Sequence, residues 1–372
     1  MRLLQITASN VWRGHEQQIV YYYNEFDSKI EHQVLLCPKN TQLESIAKQQ
    51  KFNYQSLPYK SAYDRTWIRA IQSIIKSERI DVVLIHSSKA QTLCILASVW
   101  SRTKIPMVFF RTLIKKVDTN FFRRWKYNYK HLRHIVCVSQ AVIDTLKPAI
   151  DDHSRLSIVG SATDLDQFKN RKPTGVLRKE LGLDHTTKII GNVSAFVPFK
   201  DHNTLIETAA IVVKTQKNVR FVLAGTGPLE EEMKAKVAAL DLEQFFTFLG
   251  FRTDITDIFS DFDLFLFTSK NEPTGGVLLE AYASHVPIVA CKAGGIPEVV
   301  VDGKTGILAE KENPKAFAEA VLSILNDSNK IKTLTTEGFA HLKTHFTKEI
   351  IAEKMLSELH QVVKRFPAKH RS

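Results

Sequence analysis

The chain has 372 residues, of which 44% are hydrophobic and 24% are charged, so it is long enough for two domains that each bury a core. No apolar run approaches the roughly 18 residues that a membrane-spanning helix needs. The first residues, MRLLQITASNVWRGHEQQ, also lack the apolar core of a signal peptide. These features argue against an integral membrane protein and predict a cytoplasmic one.

The positive charge is concentrated in the first half of the chain. The net formal charge is +12; residues 1–169 hold 25 lysines and arginines against 14 acidic residues, whereas residues 170–372 hold 26 against 25. A basic half predicts an anionic partner, which charge alone leaves open between a phosphate-rich glycan or lipid, a membrane surface and nucleic acid. A basic surface without a specific partner is the alternative.

Short apolar runs alternate with helix-length amphipathic segments, such as residues 65–78, throughout the first half. Continuous apolar runs are typical of strands buried on both faces of a parallel sheet. They are RLLQIT (2–7), QVLLC (33–37), DVVLIH (81–86), PMVFF (106–110) and HIVCVS (134–139).

The same alternation restarts after a polar stretch at residues 170–185. Helical segments follow at residues 314–326 and 329–344, and residues 348–366 form a last amphipathic helix. The strand candidates of this half are KIIGNVS (188–194), RFVLAG (220–225), FTFLG (246–250), DLFLFT (263–268) and PIVAC (287–291).

The repeated alternation predicts an α/β fold with two Rossmann-like, doubly wound parallel-sheet domains. We assign the first domain to residues 1–169 and the second to residues 170–347, with a C-terminal helix at residues 348–372 that could return to the first domain. Ligands of such sheets bind beyond the carboxyl ends of the strands, so two facing domains would form a cleft between them.

Residues 271–300, NEPTGGVLLEAYASHVPIVACKAGGIPEVV, carry two glutamates, Glu272 and Glu280. Helical periodicity follows the Gly-Gly pair, so we expect a helix to begin near Gly275 or Gly276 and to leave unpaired amides there. Such amides suit a diphosphate, and the carboxylates suit hydroxyl groups, so the pattern indicates a nucleotide sugar. The alternative is a surface glutamate in the loop and a capping or salt-bridge glutamate in the helix.

The Glu-x7-Glu spacing, followed by EAYASHVPIVACKAGGIPEVVVDGKTGIL, resembles the signature of the retaining group 1 glycosyltransferases. These are nucleotide-sugar-dependent enzymes with two Rossmann-like domains in the GT-B arrangement. VLAGTGPLEEEMKAKVAALDLEQFFTFLGFRTDI (222–255) and SATDLDQF (161–168) resemble further segments of the family. The resemblance extends over nearly the whole chain and is more specific in its C-terminal half.

The resemblance implies a donor site on the matching positions. Glu280 would accept hydrogen bonds from the donor ribose, and Glu272 would face the donor sugar, either positioning its hydroxyls or stabilising developing charge. Lys200, in VPFKDH, would neutralise the diphosphate. The donor would be a UDP- or GDP-linked co-substrate, with no cofactor and no metal. The other donor-binding positions would be Gly14, Gly225, Gly250, Phe251, Arg252, Thr274, Gly275, Gly276 and Val277.

Two positions depart from the family's pattern. The family usually has an arginine five residues before the lysine that matches Lys200, and this chain has Ala195 there, so one expected diphosphate cation is missing. Many members have a histidine after the strand that matches residues 106–110, and this chain has Arg111. Because arginine stays protonated, we expect Arg111 to bind the donor phosphate or a charged acceptor, and we group it with Glu272 and Lys200 as catalytic residues.

Two histidines close to the ends of strand candidates are possible acceptor contacts. His86 ends DVVLIH and His15 follows Gly14, and either could line an acceptor pocket or have a purely structural role.

No metal site is predicted. The sequence Asp261-Phe262-Asp263 resembles the metal-binding Asp-x-Asp of another glycosyltransferase fold, but it directly precedes a strand candidate, where aspartate is a common boundary residue. The four cysteines are scattered without CxxC or Cys/His spacing, so we expect them to be reduced and buried.

Basic and aromatic residues alternate within residues 115–133. The mixture is typical of a segment that lies on an anionic membrane, although aromatics can also stack on nucleic-acid bases and a solvated helix face is the plain alternative. The basic members are Lys115, Lys116, Arg123, Arg124, Lys126, Lys130 and Arg133, and the aromatic ones are Phe121, Phe122, Trp125, Tyr127 and Tyr129.

These features together predict a metal-independent, retaining glycosyltransferase that acts on a cell-surface glycan or a lipid-linked acceptor of lipopolysaccharide, capsule or exopolysaccharide type. Its basic half would contact the inner face of the cell membrane, and nucleic acid is the less favoured partner. A sugar-nucleotide epimerase or hydrolase on the same fold is one alternative. A polyanion-binding protein with a degenerate transferase fold is another, favoured by Ala195 and disfavoured by the intact pair of Glu272 and Glu280.

Overall fold

The computed structural model describes residues 1–12, 14–101, 104–169 and 175–368. The chain forms two compact units, of which the second is Ala162–Thr347 and the first is Met1–Ser161 together with the chain from Lys348 onward. The predicted boundary between residues 169 and 170 adjoins residues 170–174, which lie outside the described part.

The first unit is built on a seven-stranded parallel sheet. Its strands are β1 (Arg2–Ile6), β2 (His32–Pro38), β3 (Tyr54–Leu57), β4 (Val82–Ile85), β5 (Met107–Arg111), β6 (Leu132–Cys137) and β7 (Leu156–Ile158). Their order across the sheet is β3-β2-β1-β4-β5-β6-β7. The connecting helices are α1 (Gly14–Asp27), α2 (Gln42–Gln49), α3 (Arg65–Ser77), α4 (Ser88–Ser101), α5 (Phe121–Tyr127) and α6 (Gln140–Leu146).

The second unit is built on a six-stranded parallel sheet. Its strands are β8 (Lys188–Val193), β9 (Val219–Ala224), β10 (Phe246–Gly250), β11 (Leu264–Phe267), β12 (Ile288–Cys291) and β13 (Ile307–Ala309), in the order β10-β9-β8-β11-β12-β13. Its helices are α7 (Val176–Glu180), α8 (His202–Thr215), α9 (Glu230–Ala239), α10 (Ile255–Ser260), α11 (Gly276–Ala283), α12 (Ile296–Val299), α13 (Pro314–Leu325) and α14 (Ser328–His345).

The last helix, α15 (Lys348–Arg365), belongs to the first unit and packs against α1. It buries an apolar stripe that includes Ile351, Met355 and Leu359. Glu358 Oε2 lies 3.0 Å from His134 Nε2, and this contact also joins the helix to β6. Among the described residues, no helix combines the length and the apolar character that crossing a bilayer requires.

The prediction of two parallel α/β sheets is confirmed, and the strands that the sequence missed are all at sheet edges. The central strand β4 is buried along its whole length and appears in the sequence as an apolar run. By contrast, β3, β7 and β13 each have a neighbour on one side only and are largely half-buried or exposed. Strands of that kind have no continuous apolar run to mark them.

Strand order reverses once in each sheet, and this determines where a ligand can bind. In the first unit β1 lies between β2 and β4; in the second, β8 lies between β9 and β11. The loops that leave the carboxyl ends of the two strands at such a reversal separate to opposite faces and leave a crevice. The candidate site residues that follow β8 and β11 therefore start from the same point of the second sheet.

Candidate active site

An ion pair joins the loops that follow β8 and β11. Lys200 closes a short 3-10 turn after β8, and its Nζ lies 2.5 Å from Oε2 of Glu272, in the loop after β11. The two side chains are only 14% and 13% exposed, so water screens the pair weakly. Ser269 Oγ lies 3.1 Å from the same carboxylate oxygen.

The position of Lys200 is fixed by a ring contact and by a hydrogen bond between the two loops. Its ammonium lies 4.8 Å from the centre of the Phe267 ring, the last residue of β11. The hydroxyl of Thr268 donates a hydrogen bond of 2.9 Å to the carbonyl of Asp201, which ties the loop after β8 to the end of β11. Contacts with the end of β11 therefore restrict the conformation of the lysine side chain.

A second glycine pair, Gly294 and Gly295, supports the backbone of Glu272. The amide of Gly295 donates to the Glu272 carbonyl at 2.8 Å. Gly294 has φ +57°, and a Cβ there would lie 2.2 Å from the same carbonyl, so only glycine permits this approach. The sequence prediction assigned no role to this pair; its place directly after the strand candidate PIVAC was the available signal.

Helix α11 begins at Gly276, within the predicted range. Gly275 precedes it with φ +74°, and a Cβ there would lie 2.8 Å from Cδ1 of Leu278. A Cβ on Gly276 would meet nothing within 4 Å, so the first turn faces open space. Because the first amides of a helix have no partner within it, those of Gly276 and Val277 suit an anion at this position.

Glu280 lies about one turn into α11 and is half-buried. Among the residues that the structure describes, its carboxylate has no hydrogen-bond or ion-pair partner, and burial raises the pKa of this group to about 7. An acceptor of hydrogen bonds is thus available beside the start of the helix.

Gly225 has a packing role that its motif did not reveal. Its φ is +148°, and a Cβ would lie 1.9 Å from the carbonyl oxygen of Ser194. Its amide donates to the carbonyl of Gly250 at 2.8 Å, which links the ends of β9 and β10. Gly250 has φ +68°, and a Cβ there would meet nothing within 4 Å, so this glycine serves the turn.

Phe251 and Arg252, which follow β10, differ in their freedom to meet a ligand. The phenyl ring of Phe251 is 76% exposed. The guanidinium of Arg252 is held by Asp254 at 2.6 Å and by Glu180 at 2.7 Å, and these hydrogen bonds raise its pKa. Sequence reasoning could not reveal these two carboxylate partners.

Ala195 is exposed, just after β8.

Both carboxylates of the Asp261-Phe262-Asp263 sequence are used inside the second unit. Asp261 accepts hydrogen bonds of 2.8 Å from the amides of Gly175 and Leu177, at the start of α7. Asp263 binds Arg178 at 2.6 Å and the amide of Ile189 at 2.8 Å. The four cysteines are free and buried, in agreement with the prediction.

In the first unit, the two acceptor candidates lie together in an aromatic cluster. His15 Nε2 contacts the carbonyl of His86, and the His15 ring lies 5.9 Å from that of Phe110. His86 Nε2 lies 3.0 Å from Oε1 of the buried Gln5. Burial lowers the pKa of both histidines, so both are neutral near pH 7. Gly14 is exposed at the start of α1, with open space around it.

Arg111 ends β5 and is almost completely enclosed, with 6% of its surface exposed. The nearby helix α5 has the opposite character. Its aromatic residues Phe121, Phe122 and Trp125 are 77%, 78% and 46% exposed, and basic residues lie between them.

Comparisons with known proteins cover both units. Residues 174–340 match the family model described as glycosyl transferases group 1, and residues 12–167 match the one described as Glycosyltransferase Family 4. The chain is 24% identical over 297 residues to N-acetyl-alpha-D-glucosaminyl L-malate synthase of Bacillus anthracis, which covers 78% of this chain and 77% of that protein.

Two further similarities are one in sequence and one in structure. The chain is 29% identical over 203 residues to D-inositol 3-phosphate glycosyltransferase of Corynebacterium glutamicum (strain R), over 52% of this chain and 49% of that one. The crystal structure of Anabaena HepE in complex with UDP-glucose matches with a TM-score of 0.82 and 21% identity, covering 97% of this chain and 100% of that chain. The fold of the two Rossmann-like units is therefore GT-B.

Proposed function

Because this chain belongs to the group 1 glycosyltransferase family, we propose that it transfers a sugar, with retention of anomeric configuration, from a nucleotide diphosphate to an acceptor hydroxyl. The observation that carries this proposal is the meeting of Lys200, Glu272 and the start of α11 at the strand-order reversal of the second sheet. Cationic, amide and carboxylate groups, the kinds of group that a nucleotide sugar needs, are thus supplied by loops at one point of this sheet.

The donor would be held by groups of opposite character. The amides of Gly276 and Val277, with the Lys200 ammonium, would bind the diphosphate, and Glu280 would accept hydrogen bonds from the ribose. Glu272, already oriented by Lys200, would face the sugar. UDP-linked and GDP-linked sugars are the donors to test, and UDP-glucose comes first because the related Anabaena protein was crystallised with it.

The same groups would act on the transition state. The diphosphate gains negative charge as the glycosidic bond breaks, so donors placed beforehand stabilise the transition state more than the ground state. The departing phosphate oxygen would take the proton of the acceptor hydroxyl, so retention needs no separate enzymic base. We propose that this cation and these amides suffice for a metal-independent transfer.

The acceptor would be a cell-surface glycan or its lipid-linked precursor. The basic first half and the exposed aromatics of α5 support an enzyme that works at the anionic inner face of the cell membrane. Smaller anionic acceptors must be tested beside these glycans, because the names of the Bacillus and Corynebacterium relatives contain L-malate and inositol 3-phosphate.

The test is a panel of UDP- and GDP-sugars against lipid-linked glycans, lipopolysaccharide-type acceptors, L-malate, inositol 3-phosphate and neutral soluble sugars. The product anomer is read by NMR. Transfer with inversion would contradict retention, and transfer to neutral soluble sugars alone would contradict the membrane-glycan assignment. Release of free sugar without any acceptor would instead identify a hydrolase.

A further inference from the structure

Arg111 is a buried cation whose hydrogen-bond partners, in the part of the chain that the structure describes, are neutral. Its Nη1 donates to the hydroxyl of Tyr127 at 2.8 Å, and its Nη2 donates to the carbonyl of Lys115 at 2.7 Å. Its Nε is buried and has no acceptor among the described residues. No carboxylate in the described part of the chain forms an ion pair with it.

Burying a guanidinium with neutral partners alone is unfavourable in free energy unless an anion also binds it. Removing a guanidinium from water costs several kcal/mol, which an opposite charge normally offsets. A carbonyl and a hydroxyl supply partial charges only, and an unsatisfied buried N–H adds a further cost. The unpaired Nε–H of the guanidinium is therefore available to an anion that supplies a full negative charge.

A second cation, Lys126, lies within electrostatic range of Arg111. Lys126 Nζ donates to the carbonyl of Ser88 at 2.7 Å and to its hydroxyl at 3.1 Å, and Ser88 is the first residue of α4. Burial, and then the positive charges of Arg111 and Arg123, lower the pKa of Lys126 to about 8. Like Arg111, it has no carboxylate partner among the described residues.

The two cations are placed by adjacent strands of the first sheet. Arg111 is the last residue of β5, and Ser88, which holds Lys126, follows β4; these strands pair in parallel. Their carboxyl ends are where such a sheet binds ligands. All of these residues belong to the first unit, whereas Lys200, Glu272 and Glu280 belong to the second.

We propose that Arg111 and Lys126 form a binding site for an anionic group, a phosphate or a carboxylate, on the sugar acceptor. This inference rests on the proposed function and specifies its acceptor. One oxygen of the anion would take the Arg111 Nε–H, and another would bind the Lys126 ammonium.

The test compares acceptors that differ only in charge. The pairs are inositol 3-phosphate with inositol, ribitol 5-phosphate with ribitol, and L-malate with its dimethyl ester. Each of the two phosphates is also tested with an octyl chain attached. Comparing the chain-bearing and the soluble forms shows whether the anion comes from a lipid-linked or from a soluble acceptor. The variants are Arg111→Met, Arg111→Lys and Lys126→Met, with Arg69→Met as the control because Arg69 is an exposed arginine on α3 of the same unit.

Wild-type protein should prefer the charged member of a pair. Arg111→Met and Lys126→Met should each raise KM for that acceptor by about 10- to 100-fold, the range expected for a lost hydrogen bond to a charged group. Arg111→Lys should retain part of the preference, and Arg69→Met should retain all of it. The dissociation constant of the nucleotide should not change in any variant.

Three outcomes would overturn the inference: a wild-type preference for the neutral acceptors, equal losses for both members of a pair, or a loss confined to nucleotide binding. The last would assign Arg111 to the donor phosphate. If wild-type protein transfers no sugar at all, the proposed function fails instead. Inorganic phosphate, titrated by calorimetry with UDP present, then tests the anion site alone, and phosphate binding that is unchanged in both Arg111→Met and Lys126→Met contradicts it.

Discussion

Lys200 Nζ and Glu272 Oε2 lie 2.5 Å apart although 72 positions separate the two residues in the chain. The neighbouring strands β8 and β11 bring them together. Each side chain neutralises the charge of the other where little water reaches the pair. Replacing either residue should therefore affect both stability and sugar transfer.

Breaking this pair on one side should reduce both stability and transfer. Lys200→Met leaves the Glu272 carboxylate without its partner, and we expect a loss of about 2–3 kcal/mol, somewhat below that for a fully buried pair. The double variant with Glu272→Gln removes the stranded charge and should recover most of this loss. Urea unfolding measures it. Transfer should stay at least about 100-fold down in both variants. A double variant that regains activity would make the pair purely structural.

Glu280 should make folding stability depend on pH. Burial raises the pKa of its carboxyl from 4.5 to about 7. Between these values the folded protein binds more protons than the unfolded chain, so the stability due to this group is complete below about pH 4.5 and is lost as pH rises through 7. The loss should be about 1–3 kcal/mol.

The variant Glu280→Gln isolates this effect, because the other titrating groups are common to both proteins. Relative to wild type, the variant should gain stability as pH rises from 5 to 8, as measured by urea unfolding at each pH. The same variant should bind UDP or GDP more weakly at pH 8, where the wild-type carboxylate is ionised. A stability difference that is the same at both pH values would contradict the raised pKa.

The two glycines at the start of α11 should respond differently to alanine. Gly275→Ala forces a side chain into φ +74° and within 2.8 Å of Leu278 Cδ1, so we expect a loss of about 1–2 kcal/mol. Gly276→Ala meets open space and should leave the melting temperature nearly unchanged. If a diphosphate approaches there, the same methyl group should weaken nucleotide binding measured by calorimetry. Unaltered nucleotide binding by Gly276→Ala would move the diphosphate elsewhere.

The exposed rings of α5 should contribute to membrane binding. Replacing Phe121 and Phe122 by serine removes two apolar groups that are 77% and 78% exposed. Sedimentation with phosphatidylglycerol vesicles should fall by about 10-fold or more, since burying a phenylalanine contributes about 1.5–3 kcal/mol. Tyr63→Ser is the matched control, because Tyr63 is 72% exposed in the same unit. Equal binding to phosphatidylcholine vesicles, or no loss in the double variant, would contradict the proposed surface.

The sequence identified the features that depend on one continuous segment. The central strands and the start of α11 near Gly276 are of this kind, because apolar runs and glycine pairs are local. The ion pair of Lys200 with Glu272 was beyond local reasoning, since each glutamate and lysine has many possible partners until strand order is known. The same holds for Arg252, whose partner Glu180 comes from a distant helix.

Burial was the other quantity that sequence reasoning could not supply. His86 ends one strand candidate and Arg111 directly follows another, and either could have been open to solvent. Their near-complete burial depends on what α1 and the segment before α5 place over them. For Gly225 the sequence predicted a donor-binding position, and it did not reveal that the missing side chain also makes room for the carbonyl of Ser194.

The return of α15 to the first unit determines the order in which the chain can finish folding during synthesis. Everything from Ala162 to Thr347 is translated before the helix that covers α1 exists. The second unit can therefore be complete while the first still exposes the apolar surface that Ile351, Met355 and Leu359 later cover. During synthesis, therefore, the second unit can finish folding before the first, because the first is complete only when α15 packs against α1.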